Sequence, residues 1–275
     1  MSEFSKVVVL GGSGMIGARV VERLKGLDVE VVAASRRTGV NTITGEGLLQ
    51  ALSGANVVVD ASDVHSFDEE TLRDFFVVSG RNVAKAEIEA GVKHHVTLSI
   101  VGVDHLPGNP YYAAKARQEQ VARSSGTPFT IVRSTQFFEF LPTISGGFAK
   151  QNSVNPPDAL LQPIAADDVG GILAEIALEK PRNAVVQIAG PERDAIAHWL
   201  RRAFSVTNDT RVVTADRMAT WFGARLEQDS LVPTHPDRMG TMFFDRWSTT
   251  PSARLALGGN RYATASAELE RQIKV

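Results

Sequence analysis

Lys6-Val7-Val8-Val9-Leu10-Gly11-Gly12-Ser13-Gly14-Met15-Ile16-Gly17 decides how this 275-residue chain folds. Val7 to Leu10 is an apolar, β-branched run with the length of a buried strand. Ala18-Arg19-Val20-Val21-Glu22-Arg23-Leu24 follows, and a helix there carries Val20, Val21 and Leu24 on one face. A strand that feeds a glycine turn opening a helix is the setting in which such a segment holds a dinucleotide. Residues without a Cβ permit the tight turn and let backbone approach a pyrophosphate, while the helix start aims free N–H groups and a positive dipole end at it. Gly11, Gly14 and Gly17 follow G-x-x-G-x-x-G, and Gly12, Gly14 and Gly17 also satisfy G-x-G-x-x-G. Gly11, Ser13, Gly14, Met15, Ile16 and Gly17 are therefore the candidate contacts in this turn.

Working outward, strand-like and helix-like stretches alternate as far as about Arg133, the pattern of a parallel sheet covered by helices on both faces. Strands are predicted at Val7 to Leu10, Val29 to Ala34, Val57 to Asp60, His95 to Ile100 and Phe129 to Val132. Helices are predicted at Gly17 to Lys25, Gly47 to Leu52, Glu69 to Ala90 and Tyr112 to Ser124. The fold class is α/β, a Rossmann-type doubly wound parallel sheet with a smaller C-terminal substrate lobe. Such a sheet binds its ligand beyond the carboxyl ends of its strands. After Arg133 the pattern loosens around Gly146-Gly147, Asn155-Pro156-Pro157 and Pro163. A strand is predicted at Val185 to Ile188, and helices at Val169 to Ala177, with Asp167 or Asp168 as cap, and from Asp194 through Phe204. Val212-Val213 reads as a strand and Met218 to Leu226 as a helix. Residues 1–150 form the dinucleotide-binding domain in this reading, and 151–275 a smaller lobe interleaved with the last strands of the sheet.

Composition narrows the functional classes. With 43% hydrophobic and 22% charged residues and a formal net charge of -2, the chain has no electrostatic footprint for nucleic acid or an anionic membrane. There are no cysteines, which excludes thiolate catalysis, disulfides and cysteine metal sites. No apolar run reaches the roughly 18 residues of a membrane span, and the first five residues do not resemble a signal sequence. A cytoplasmic protein acting on a small-molecule substrate is the expectation.

Tyr111-Tyr112-Ala113-Ala114-Lys115 carries the candidate chemistry. Tyr111 and Lys115 are four apart, so a helix places them on one face, roughly 5 to 6 Å apart at Cβ. A phenol with a pKa near 10 is a poor acid–base group at neutral pH, but an adjacent ammonium favours the phenolate. Tyr111 can then pass a proton while Lys115 also holds a ribose hydroxyl. Ser99 ends the strand twelve residues before Tyr111, where its hydroxyl can hold a substrate oxygen.

The ordered set formed by the glycine turn, Val57-Val58-Val59-Asp60-Ala61-Ser62, Thr97-Leu98-Ser99-Ile100-Val101-Gly102, Tyr111 with Lys115, and Thr130-Ile131-Val132-Arg133 resembles the atypical or extended short-chain dehydrogenases/reductases. Within them it is similar to the NmrA-like NAD(P)H-binding branch, over roughly residues 5 to 190. The resemblance implies a Rossmann domain, a nicotinamide cofactor, and Ser99, Tyr111 and Lys115 in the catalytic positions. It further implies that Asp60-Ala61-Ser62 passes the adenine side of the cofactor, making Ala61 and Ser62 contacts, and that residues after Arg133 line the substrate pocket.

Cofactor choice is read at the end of the second strand. An NAD-selective site places an acidic residue about 20 positions beyond the glycines to hold the ribose 2′-hydroxyl. Here the strand ends in Ala33-Ala34-Ser35-Arg36-Arg37, without a carboxylate. A serine and two guanidinium groups suit a 2′-phosphate, so Ser35, Arg36 and Arg37 point to NADPH, with NAD as the alternative.

Other features read as structural. His94 and His95 are adjacent on a strand and face opposite ways, and His65, His105, His198 and His235 lack ligand spacing, so no metal is expected. Phe137, Phe138, Phe140, Phe243, Phe244 and Trp247 read mostly as packed core. The expected function is hydride transfer between a nicotinamide and a small carbonyl or quinone-like substrate. A non-catalytic NAD(P) redox sensor and a nucleotide-sugar epimerase or dehydratase are the alternatives. Tyr111 favours catalysis.

Overall fold

The computed structural model describes residues 5–64, 66 and 68–258. Strands and helices alternate through β1 (Lys6–Leu10), α1 (Met15–Lys25), β2 (Glu30–Ala34), α2 (Leu48–Leu52), β3 (Val57–Asp60), α3 (Glu69–Arg73), α4 (Ser79–Ala90), β4 (His94–Ile100), α5 (Pro110–Ser124) and β5 (Phe129–Ser134). Shorter pieces follow: α6 (Leu141–Gly147), β6 (Ala149–Lys150), β7 (Ser153–Val154) and β8 (Leu160–Leu161). The chain continues through α7 (Ala166–Ala177), β9 (Ala184–Ala189), β10 (Asp194–Ala195), α8 (Ile196–Thr207), β11 (Val212–Val213), β12 (Arg238–Met239), α9 (Phe244–Ser248) and α10 (Pro251–Gly258).

The central parallel sheet has seven strands in the order β12-β9-β5-β4-β3-β1-β2. Val7 to Leu10 pair with Val31 to Ala34 on one side and with Val57 to Asp60 on the other. Both sides of β1 are therefore occupied, which is why Val7, Val8, Val9 and Val57 to Val59 can all be apolar and fully buried. The chain steps from β1 outward to β2 and then crosses to β3 on the opposite side. That reversal is a topological switch point, and crevices at the carboxyl ends of such strand pairs are where ligands bind.

Two compact units are interleaved along the chain. The first takes residues up to Ile100, then Pro110–Ser134 and Ala166–Gln187; the second takes Val101–Asn109, Thr135–Ala165 and the residues from Ile188 onward. Helix α7 and most of β9 belong to the first unit. In that unit α1 buries Ile16, Gly17, Val20, Val21 and Leu24, and Gly170 of α7 comes so close to Arg19 that a Cβ there would lie 2.5 Å from the arginine Cβ. Arg19 and Asp167 add an ion pair at 2.6 Å. Asp167 and Asp168 thus lie inside the first turn of α7 and do not cap it.

The second unit has an aromatic core. The ring of Phe138 lies 5.8 Å from Trp199, 5.4 Å from Phe244 and 5.2 Å from Trp247. The buried indoles are satisfied, Trp199 Nε1 donating to the Leu161 carbonyl and Trp247 Nε1 to Glu139 Oε1, both at 3.1 Å. Phe243 is the exception to the expected packing, being 54% exposed.

Two predicted helices are corrected. The single helix expected over Glu69 to Ala90 is interrupted by a π-helical turn at Asp74–Val78, where the Ser79 hydroxyl bonds back to the Phe75 carbonyl. The widened turn contains Phe76, which is fully buried. Met218 to Leu226 is not helical, because Phe222 at φ 45° and Gly223 at φ 98° turn the backbone left-handed, and a Trp221–Ala224 bridge replaces the helix.

The glycine turn gives a stability test. A Cβ at Gly17 would stand 2.2 Å from the Gly11 carbonyl oxygen, whereas at Gly14 it meets that oxygen at 3.1 Å. Urea denaturation should show Gly17→Ala losing ~1–3 kcal/mol, the usual cost of overpacking, and Gly14→Ala losing less than ~1 kcal/mol. Equal losses would show that α1 does not pack on the turn as described.

Candidate functional site

The turn after β1 is wedged between the ends of its neighbours. Gly11 has φ 71°, and a Cβ there would meet Ser62 Cα at 2.8 Å and the Ala61 carbonyl at 2.9 Å. At Gly12 a Cβ would meet Ala33 Cα at 2.8 Å, and the Gly12 N–H donates to Ala34 O at 3.2 Å. Gly14 precedes α1 and its N–H folds back on Gly11 O at 2.8 Å. Ser13, Met15, Ile16 and Gly17 have N–H groups without a backbone acceptor among the described residues. Their cluster at the start of an eleven-residue helix favours an anion.

Beyond β2, the Thr38 N–H donates to Ser35 O and the Ser35 N–H to Thr38 Oγ1. The Ser35 hydroxyl is buried, and its proton has no acceptor among the described residues. Arg36 and Arg37 are exposed, and no ion pair or hydrogen bond engages their guanidinium groups among the described residues. Free N–H groups, an orphaned buried hydroxyl, two free cations and a turn with no room for side chains fit a phosphate-bearing dinucleotide. Ala61 and Ser62 abut the turn itself, at Gly11.

The structure brings Tyr111 and Lys115 together on α5, around Phe76. Tyr111, half-buried, packs its ring edge-on against Phe76 at 5.7 Å, and its hydroxyl donates to Asp63 Oδ1 at 3.1 Å. Lys115 is 4% exposed, with its ammonium 4.6 Å above the centre of the same ring. Two of its protons are committed, one to Leu98 O at 2.7 Å and one to Gln118 Oε1. Its third proton has no partner among the described residues. Burial pushes the Lys115 ammonium below the ordinary lysine range, against the opposing pull of Asp63, Asp60 and Glu119.

Ser99 does not join this pair as the strand pattern implied. Its hydroxyl donates to buried Glu119 Oε1 at 2.6 Å. Glu119 in turn receives Arg133 through two bonds, Nε to Oε1 at 2.8 Å and Nη2 to Oε2 at 2.7 Å. In this arrangement the Ser99 hydroxyl proton lies on a carboxylate, away from Tyr111 and Lys115. Ser99 braces a buried ion pair between α5 and the directly paired Ser99 and Arg133 of β4 and β5.

Sequence reading missed Asp63, Gln118 and the support behind them. Gln118 passes a hydrogen bond to Asp60 Oδ2 at 3.0 Å. A signal was present: Tyr111, Lys115 and Gln118 recur at i, i+4 and i+7, one stripe of a helix. His94 and His95 are both buried but bonded elsewhere, to Thr130 at 2.8 Å and to Glu87 and Thr97 at 2.5 and 2.7 Å. His65 lies outside the described residues. Among the described residues no cluster of three or more His, Asp or Glu side chains is arranged for a metal, and no helix is long and apolar enough to cross a membrane.

Known proteins match this arrangement. A family model described as NAD(P)H-binding covers residues 11–180. The photosystem II assembly factor Ycf39 of Synechocystis sp. is 24% identical over 91% of this chain and 78% of its own length. A (4-alkanoyl-5-oxo-2,5-dihydrofuran-3-yl)methyl phosphate reductase of Streptomyces griseus is 32% identical over 48% of each chain. Triphenylmethane reductase of Citrobacter sp., solved with NADP(H), has a similar fold at TM-score 0.58 and 16% identity, covering 78% of this chain and 79% of that one. With the glycine turn at the switch point of a parallel sheet, the match over residues 11–180 makes this chain a member of the NAD(P)H-binding family.

Proposed function

We propose that this protein is an NADPH-preferring reductase that transfers a hydride between the nicotinamide and a small carbonyl or quinone-like substrate, with Tyr111 as proton donor and Lys115 as its cationic partner. The observation that carries the reading is the state of Lys115, a buried ammonium one helical turn from Tyr111 with two protons fixed and the third left over. A buried charge held this way costs desolvation energy, and a family that binds NAD(P)H gives that charge a use.

When bound, the nicotinamide supplies or accepts the hydride. The side chains handle the proton. Asp63 accepts the Tyr111 hydrogen bond, so the phenol is held as a donor. As charge develops on a substrate oxygen, Tyr111 Oη gives up its proton, and the Lys115 ammonium stabilises the phenolate left behind. The free third proton of Lys115 is the one offered to a ribose hydroxyl. Ser35, Arg36 and Arg37 support the preference for NADPH, since a 2′-phosphate would satisfy the orphaned hydroxyl and pair with two cations that lack partners.

A second reading has its own support. The relative aligned along 91% of this chain is named as an assembly factor, so an NAD(P)H-binding protein that serves another assembly without turnover is the alternative.

Steady-state assay of Tyr111→Phe on a panel of ketones, enones and quinones separates the two. Turnover should fall by roughly 100-fold, the share of a positioned general acid, while NADPH affinity stays near that of the parent. No turnover by the parent on any panel member would favour the assembly reading, and a fully active variant would take Tyr111 out of the mechanism.

Calorimetry checks the cofactor preference. Arg36→Ala with Arg37→Ala should weaken NADPH by about 1.5 to 3 kcal/mol, the range of hydrogen bonds to a charged group, and leave NADH almost unchanged. Equal weakening of both cofactors would show that these arginines do not read the 2′-phosphate.

A further inference from the structure

Three buried polar side chains form a line from the dinucleotide turn to Lys115. Asp60 ends β3 and is 4% exposed. Its Oδ1 accepts from the Ser62 N–H at 3.0 Å and the Ser62 hydroxyl at 2.5 Å, fixing the segment that abuts Gly11. Its Oδ2 accepts from Gln118 Nε2 at 3.0 Å. Gln118, also 4% exposed, presents its other end, Oε1, to Lys115 Nζ.

The chemistry of the amide gives this line a direction. Only the carbonyl end of Gln118 can accept from an ammonium, and only its NH2 end can donate to a carboxylate. Asp60 on one side and Lys115 on the other therefore select a single orientation. Leu98 O takes a second proton and the Phe76 ring lies 4.6 Å from the ammonium, so Gln118 and Leu98 together fix how the Lys115 N–H groups are turned.

We propose that Gln118 and Asp60 are positioning residues that tie the dinucleotide turn to Lys115 and aim its third proton at the cofactor. This rests on the reading of Lys115 as the lysine that meets the cofactor. Asp60 makes no hydrogen bond to Lys115: it sets the Gln118 amide, and its charge adds a through-space pull on the ammonium. Its carboxylate does double work, holding the Ser62 segment with one oxygen and the Gln118 amide with the other. Displacement of either end is felt at the other because every group between them is buried and bonded.

The charged groups around Lys115 are Asp63 after β3, Asp60 at its end, and Glu119 on α5 with its Arg133 partner from β5. Asp60 also acts on His95 of β4, whose charge is held by Glu87 of α4. None of these accepts a hydrogen bond from Lys115 as Gln118 Oε1 does.

The test measures NADPH affinity by calorimetry from pH 6 to 10, beside thermal melts, for the parent, Lys115→Met, Gln118→Met, Asp60→Asn and the Gln118→Met/Asp60→Asn pair. Lys115→Met should weaken NADPH about tenfold and flatten the alkaline part of the profile. Gln118→Met should weaken it about fivefold to tenfold and move the alkaline loss of affinity to lower pH, because the ammonium has lost an acceptor. Asp60→Asn should act alike, since an amide there lets Gln118 turn its NH2 toward Lys115. The double variant should lose clearly less than the sum of the two single losses.

Affinity and pH profile matching the parent in Gln118→Met, with only a lowered melting temperature, would overturn the proposal, as would fully additive losses in the double variant. Should Asp60→Asn fail to fold, Gln118→Met decides by the same profile. An unchanged profile in Lys115→Met would remove the lysine from the cofactor and the proposal with it. If the affinities shift as stated but the parent turns over no substrate, the reductase reading fails and the positioning role stands.

Discussion

Helix α1 descends so closely onto the turn after β1 that position 17 has no room for a Cβ, which would sit 2.2 Å from the Gly11 carbonyl. This contact sets much of the rest. It forces the turn to lie flat against the ends of β2 and β3, where Gly12 meets Ala33 and Gly11 meets Ala61 and Ser62. It also leaves the first N–H groups of α1 clustered and unbonded at the one place where the sheet order reverses. An anion-binding crevice is the physical consequence of packing a helix on a turn with no side chains between them.

The other costly feature is the polar face of α5. Lys115, Gln118 and Glu119 are each at most 4% exposed, although the types are ones that solvent normally claims. Each is bonded into a partner: Lys115 to Leu98 and Gln118, Gln118 to Asp60, and Glu119 to Arg133 and Ser99. Breaking one side of such a pair strands a buried charge, which is far more expensive than the pair itself is worth. The outcome divides the helix by partner. Glu119 with Arg133 holds strands to helix, while Lys115 is tied to β4 through Leu98 and, by way of Gln118, to Asp60 at the end of β3.

This division explains which parts of the site could be read in advance. The glycine turn, the lack of an acidic residue after β2, and the Tyr111–Lys115 spacing were legible because each depends on neighbours a few positions away. β1, β3 and β4 were placed to within a residue, β1 and β3 because nearly fully buried strands announce themselves as β-branched runs. The π-helical turn at Asp74–Val78 was not visible, because Phe75, Phe76, Val77 and Val78 satisfy a continuous helix equally well. The partner of Ser99 was hidden for a related reason: its place at a strand end is legible, but Glu119, which accepts from its hydroxyl, lies twenty residues away.

Chain order alone carries what is local: the alternation of strand and helix, the glycine turn that admits a dinucleotide, and a phenol and an ammonium on one helical face. Backbone sterics and helical period are enough for these, because they act between residues close in sequence. Tertiary structure decided which polar groups were spent and which were left over. Asp60, Asp63, Phe76 and Gln118 meet around Lys115 from three different segments, and only their packing leaves that ammonium one proton to offer. Hydrogen-bond partners are assigned by distance in space, and a chain of one dimension does not encode that distance directly.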